Sequence, residues 1–381
     1  MTGLFQDVKF ALRMMAKNPW FTLIAVLTLA LGIGVNSAGF SLANAAWWQQ
    51  VPFPNPKEIV VAAISDGSTA PSYARMAYSE FYDVRSRAKS FKAIAAFGEQ
   101  AMVVSGKEGP AQRYNGAVVS TNLFSFLGAK PLLGRDFTAA DEKWGLPVPA
   151  LISHELWQTR YEGKADVIGR TLRVDANPAV IVGVMPPGFK FPNWQQVWTP
   201  LRGSPDKDYG WRHLNVFGRL GDGVAIGQAR SEVKGIAQAI AHDHPDTNKG
   251  YDGMVVTFMD WFAEPDDTFV LEIILGAVAF ILLIACANAA NLLLSRAVQR
   301  AREVSVRTAL GASRWRIARQ VLVESVMLSL IGGLLGFFVG QAGVRWFVYT
   351  LKSAGAEVTY WTSFDMDYRV FAYCFAICFC R

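Results

Sequence analysis

Residues 273–295 read IILGAVAFILLIACANAANLLLS, 23 positions without a charge, and run directly into RAVQRAREVSVRTALGASRWRIAR at 296–319. A bilayer core takes about 20 apolar residues as a helix, so the first segment is long enough to span one. The second holds seven arginines against one acid, Glu303. Basic residues beside a span mark its cytoplasmic end. The two segments together describe a helix leaving a membrane on the inside, and the rest of the chain is read outward from there.

Two further blocks meet the length. Residues 21–46 are uncharged, and residues 321–348 carry only Glu324 and Arg345, near the two ends. A fourth begins at Val370 and stops at Cys380. As a helix it would cover roughly 16 Å, about half of a ~30 Å core, so a partial span and a shortened C-terminus are expected. Lys9, Arg13 and Lys17 precede the first block and place the N-terminus inside as well. Residues 49–268 and the stretch after 348 then lie outside. The two inner segments hold more than the whole net charge of +6. Ala43-Asn44-Ala45 resembles a signal cleavage site, but the apolar stretch before it is far longer than the 7–15 residues of a signal peptide. All four cysteines fall in apolar blocks. The outer region is therefore expected to fold without disulfides, on a core that about 220 residues can supply.

The fold class that follows is an α-helical membrane protein with a large α+β extracytoplasmic domain inserted between spans 1 and 2. The expected divisions are a cytoplasmic amphipathic helix at 1–19, spans at 20–48, 269–295 and 321–349, and a partial span at 370–381. Between them lie the outer domain at 49–268, a cytoplasmic loop at 296–320 and a short outer loop at 350–369. In the first helix Leu4, Val8, Leu12 and Met15 share a face, while Lys9, Arg13 and Lys17 form a stripe that would meet anionic headgroups of the inner leaflet. In the outer domain, periodicity predicts helices over 79–87, 122–127, 154–161 and 226–242. Strands are predicted over 93–97, 101–105, 117–119, 171–175, 179–184, 215–220 and 255–259, with a hairpin turn at Ala176-Asn177-Pro178. Trp261-Phe262 is expected to return the chain to the membrane interface.

Chemistry is sparse. No phosphate-binding loop occurs: Gly106-Lys107 and Gly163-Lys164 both lack the first glycine and the following hydroxyl residue, so any ATP must be bound by another polypeptide. His154-Glu155 starts like a zinc-protease helix, but Gln158 stands where the second histidine is needed. His242-Asp243-His244 with Asp246 reads as a solvated helix end, not a metal site. No catalytic residue, metal ligand or nucleic-acid surface is assigned. Glu324, one turn from Arg316–Arg319, is expected to form an interfacial ion pair or to snorkel rather than to act as a functional carboxylate. Residues 302–310 suit a short helix, Gly311 a C-cap and Ser313 the next N-cap, so a helix, a sharp turn and a helix into the third span are predicted. Such a unit reads as a rigid lever bearing on a cytoplasmic partner. Gly332, Gly336 and Gly340 make two overlapping Gly-x-x-x-Gly steps, for packing within one subunit or for a dimer seam.

These residues resemble the MacB/FtsX family of ABC permeases. The opening Asp7-Val8-Lys9-Phe10-Ala11-Leu12-Arg13, with residues 27–34 (LTLALGIG), is similar to the start of that family's duplicated soil-bacterial permeases. VGVMPPGF at 182–189 is similar to its MacB-like periplasmic core domain. ACANAANLL at 285–293 and the run from Arg302-Glu303 to Ser313 resemble its FtsX-like domain. The resemblance implies an FtsX-like four-span unit, here with its last span incomplete, in a bacterial inner membrane. It implies a homodimer, or a pseudo-dimer with a second permease half, among membrane lipids and without a cofactor of its own. A cytoplasmic ABC ATPase would bind ATP and contact Glu303, Val306, Arg307, Leu310, Gly311 and Ala312. Motion relayed to the outer domain, for efflux or envelope maintenance, is the implied activity. The alternative is a membrane-anchored sensor or scaffold whose outer domain binds a ligand or partner.

Overall fold

The computed structural model describes residues 2–47, 53–68, 73–106, 109–143, 147–203, 209–262, 265–309, 314–353, 364 and 369–370. Along the chain run α1 (Thr2–Lys17), α2 (Pro19–Trp47), β1 (Ile59–Ser65), α3 (Tyr78–Arg87), β2 (Phe91–Gly106) and β3 (Gly109–Val119). Next come α4 (Leu123–Phe126), β4 (Leu133–Gly134), β5 (Val148–Ile152), α5 (His154–Tyr161), β6 (Thr171–Val174), β7 (Asn177–Val184) and β8 (Val197–Pro200). The chain continues through β9 (Asn215–Leu220), α6 (Ile226–Asp243), α7 (Pro245–Asn248), β10 (Asp252–Thr257), α8 (Phe258–Phe262), α9 (Pro265–Ala309) and α10 (Arg314–Ser353). Two compact units result, one mainly from Met1–Gln49 and Asp266–Glu357, the other mainly from Gln50–Pro265.

The second unit, here the outer unit, is organised by the long hairpin of β2 and β3. The first half of β2 joins the antiparallel array β10-β1-β9-β2. Its second half enters a circuit in which β2, β3, β8, β5, β7 and β6 pair in turn and β6 returns to β2. The ring closes on itself, and Met102, Val104, Ile152, Leu156, Ile181 and Val197 fill one continuous core. α3 and α6 lay Phe81, Val84, Val233, Ile236 and Ile240 over β1 and β9. On the other face of that array Phe97, Phe124, Phe191, Trp198, Phe217 and Phe258 interlock edge to face, with ring centroids 4.9–6.1 Å apart. Such contacts add to the gain from burying large rings.

The structure revises several local expectations. Segments 93–97 and 101–105 are one strand. The β6–β7 turn is Asp175-Ala176, both left-handed, so Asn177 and Pro178 already belong to β7. Two residues in that conformation match the twist of a tight hairpin. The last strand sits earlier than expected, at Asp252–Thr257. Trp261, half-buried, packs against Phe217 and Phe258 of the outer unit's core at 5.4 and 5.7 Å.

In the other unit α1 stops at Asn18 because Pro19, which has no N–H, opens α2. Two helices are long and apolar enough to cross a membrane among the described residues, Pro19–Ala45 and Leu322–Leu351; in α9 the apolar stretch is shorter, Glu272–Asn288. Large apolar side chains point away from the protein along all three: Leu27 and Leu31 on α2, Phe280 (68 % exposed) and Ile284 on α9, Leu334 (62 %) and Phe338 on α10. Water would penalise such a surface, and hydrocarbon would not. Residues 371–381, where the partial span is expected, lie outside the described residues.

Candidate functional site: a glycine seam beside the coupling segment

α2 and α10 approach until their backbones touch. A Cβ at Gly336 would fall 2.9 Å from the Ala30 carbonyl oxygen, and one at Gly34 would fall 2.8 Å from the Gly336 oxygen. One turn from there, a Cβ at Gly332 would meet Leu29 Cβ at 2.6 Å. Only hydrogen fits at these three positions. Gly340 is also buried. α9 closes against α2 in the same way: a Cβ on Gly32 would lie 2.5 Å from Ala285 Cβ. Asn36, inside α2, donates its Nδ2 to the Val278 carbonyl at 2.8 Å. Ser41 donates to the Phe364 carbonyl, also at 2.8 Å. Gly332 and Gly336 thus face α2 of their own chain. The partner helix is what the sequence pattern left open.

The predicted coupling residues are placed by the backbone. Glu303, Val306 and Arg307 lie in the last turns of α9, which runs unbroken from Pro265 to Ala309. No separate short helix precedes the turn, contrary to expectation. The lever continues the apolar helix, because residues 296–309 contain neither glycine nor proline to end it. Leu310, Gly311 and Ala312 fall outside the described residues. α10 resumes at Arg314. One and a half turns later Arg319 grips Asp7 of α1, its Nε and Nη2 each 2.8 Å from Asp7 Oδ2. Arg319, one of the arginines near Glu324, thus has its carboxylate partner on another helix; Glu324 itself is buried. Asn36 is the interhelical hydrogen-bonder that a polar residue inside an apolar helix leads one to expect; Asp7 is the residue that sequence reasoning missed. Asp7 had one signal, being the single acid in a basic helix.

The outer unit is held by buried polar locks. Glu80 is fully buried; it receives Arg212 Nη2 and Asn248 Nδ2 at 2.6 Å and the Ala77 amide at 2.8 Å. Burial pushes its pKa up despite these partners. Asp141 moves the other way: burial works to raise it, but the two-pronged Arg135 contact and the Thr138 amide and hydroxyl outweigh that and hold it below the usual range. Behind this pair Gly134, at φ 76°, lies so close to the Val182 carbonyl that no side chain fits. Val182-Gly183 of the VGVMPPGF motif is thus a contact surface for the Gly134-Arg135 turn. A groove of about 720 Å³ opens beside the ring, lined by Gln100, Asp175, Thr199, Arg202, Trp211 and His213 among others. Of the histidines weighed as metal ligands, His244 stacks on Tyr209 at 3.8 Å and His242 is exposed beside Asp243.

Comparison with known proteins matches two stretches of the chain. Residues 22–236 match the family model of the MacB-like periplasmic core domain, and residues 275–380 match that of the FtsX-like permease C-terminal region. The macrolide export ATP-binding/permease protein MacB of Salmonella typhi is 28% identical over 229 residues, covering 57% of this chain and 33% of that protein. The uncharacterized ABC transporter permease YknZ of Bacillus subtilis (strain 168) is 25% identical over 360 residues, covering 90% of this chain and 86% of that one. The match thus spans about a third to a half of the length of the MacB relatives. The crystal structure of the periplasmic region of MacB from Actinobacillus actinomycetemcomitans superposes with a TM-score of 0.40 at 14% identity, covering 59% of this chain and 98% of that one.

Proposed function

Because the chain belongs to the MacB/FtsX family of ABC transporter permeases, we propose that it relays the motion of a separate cytoplasmic ATPase to its outer domain. The observation that carries this reading is α9. At about 1.5 Å per residue its 45 residues make a rod of roughly 67 Å, from the end of the outer unit's sequence to the coupling segment. A helix without an internal break transmits a push at one end to the other.

In this proposal the chain forms an FtsX-like four-span unit, with residues 296–320 inside and the outer domain outside the bacterial inner membrane. ATP is bound and hydrolysed by the partner, which grips Glu303, Val306, Arg307, Leu310, Gly311 and Ala312. A second copy or a second permease half completes the assembly. Switching the outer domain fully between two states takes about 5.5 kcal/mol of differential binding, which nucleotide-dependent docking of the ATPase would supply. The cargoes in the names of similar proteins, macrolides and pyoverdine, favour efflux over envelope maintenance.

Capture of the chain from detergent-solubilised membranes tests the reading. The chain should bring down an ABC ATPase, and Leu310→Asp or Gly311→Pro should lose it while the outer unit keeps its fold by circular dichroism. An ATPase retained by both variants would transfer the chain to the scaffold class.

A further inference from the structure

Between Thr2 and Lys17, α1 has one acid and three cations. The structure sorts them onto different faces. Asp7 is turned inward, 8 % exposed, onto Arg319. Ala11 and Met15, one and two turns on, are buried on the same side, and Met15 packs with Ala25, Val26, Leu29 and Leu328. Of the Leu4–Val8–Leu12–Met15 face that periodicity selects, Met15 is buried but Leu12 is half exposed, so the buried side is turned toward Asp7 and Ala11. Lys9, Arg13 and Lys17 stay on the exposed side, and among the described residues no carboxylate pairs with them. Leu12 is half exposed beside them, and Trp20, where α2 begins, is 76 % exposed. Three cations without a counter-charge, beside an aliphatic side chain and an indole, match the interface of a bilayer whose headgroups are anionic.

We infer that α1 is a lipid-read latch: anionic phospholipid headgroups hold its Lys9–Arg13–Lys17 stripe, and Asp7 holds Arg319 at the coupling end of α10. A ligand shifts an equilibrium only by its different affinity for the two states. Here the difference is Asp7. Seated, its charge is neutralised by Arg319; unseated, it returns to the membrane surface, where the same headgroups repel it. One elementary charge near an anionic surface is worth about fivefold in an equilibrium at moderate salt. Anionic lipid therefore favours the seated helix, and α1 reports lipid charge to the segment that follows the coupling turn. The inference needs α2 to cross the membrane but does not need an ATPase.

The test uses the full chain in nanodiscs, its four cysteines replaced by serine and Ala11→Cys introduced on the buried face of α1. Labelling by a membrane-impermeant maleimide should be about fivefold slower with 30 % phosphatidylglycerol than with phosphatidylcholine alone, and high salt should erase the difference. Lys9→Gln/Arg13→Gln/Lys17→Gln should label alike in both lipids, and Asp7→Asn should label faster in both. The exchange Asp7→Arg/Arg319→Asp should restore slow labelling in neutral lipid yet label faster, not slower, with phosphatidylglycerol. Equal rates in the two lipids for the parent chain, or slowing that survives the triple change, overturns the latch. No ATPase is present in the nanodisc, so either result leaves the coupling proposal to its own experiment.

Discussion

The two units solve the packing problem with opposite materials. The outer unit fills its interior with the largest side chains available, Trp198 and the interlocked Phe97, Phe191 and Phe217, and each ring is removed from water almost completely. The seam of α2 and α10 is made where side chains are missing, at Gly34, Gly332 and Gly336, while leucines and phenylalanines face outward. In water, burying a ring is itself the driving force. In hydrocarbon a leucine gains nothing by leaving the lipid, so association relies on close backbone contact and on a few hydrogen bonds such as Asn36 to Val278. The same chain thus carries a bulky core in its outer unit and a thin seam between its apolar helices.

The comparison breaks most visibly where the outer unit stakes stability on a buried charge. Arg212→Leu removes the partner of Glu80 and a guanidinium lying 3.7 Å over the Tyr251 ring. Losing one member of a buried pair costs about 3–5 kcal/mol. Burial already holds the Glu80 pKa above its ordinary value, and without Arg212 it rises further. An acid with a raised folded pKa penalises the fold fully above that value and not at all below its unfolded value, about 4.3. The deficit of the variant should therefore be largest at neutral pH and shrink on acidification toward that range. Urea unfolding of both chains across pH measures it. Taking the difference cancels the opposite trend from Asp141 and Glu232, whose carboxylates are held low against burial by hydrogen bonds from Arg135 and Thr138 and from Ser90 and Lys89. A deficit independent of pH would remove Glu80 from the explanation.

How much of this was legible in the sequence depended on whether an element has a wet side. α6 keeps Val233, Ile236 and Ile240 on one face and polar residues on the other, and its predicted start at Ile226 is the observed one. β9 was placed to the residue. β1 (IVVAAIS) was not placed at all: Val60 and Ala62 enter one core and Ile59 and Val61 the other, so alternation is absent. β5 and β8, short and covered on both faces, failed for the same reason. The first half of β3 failed for the opposite one, since Pro110–Arg113 are all exposed and include no large apolar residue. The apolar blocks and the glycine steps could be read directly. That Gly336 seats against Ala30, and Arg319 on Asp7, depends on which helices meet across some 300 residues of chain, and no local pattern encodes that.

Within the seam a single methyl group should be felt. In Gly336→Ala the new Cβ would stand 2.9 Å from the Ala30 oxygen and 3.1 Å from Ile33 Cβ, and backbone cannot swing aside as a side chain can. Overpacking of this kind costs about 1–3 kcal/mol. Thermal unfolding of the chain in detergent should show the loss. The aromatic circular dichroism of the outer unit should melt as in the parent, because that unit has its own core. A melt unchanged in both signals would mean that α2 and α10 do not approach this closely.

The smallest effect is expected on the same helix two turns away. Gly343 has nothing within 4 Å of the position where a Cβ would stand, so Gly343→Ala brings no clash. Alanine is the better helix former, by at most about 1 kcal/mol in water. The substitution should therefore be neutral or slightly stabilising in the melt that detects Gly336→Ala. The two glycines carry the same backbone cost and differ only in what lies opposite them, so the pair isolates the seam from helix propensity. If Gly343→Ala instead destabilises the assembled complex while leaving the single chain unaffected, its face is covered by another subunit. The close-backbone rule would then extend from the seam inside this chain to the contact between chains.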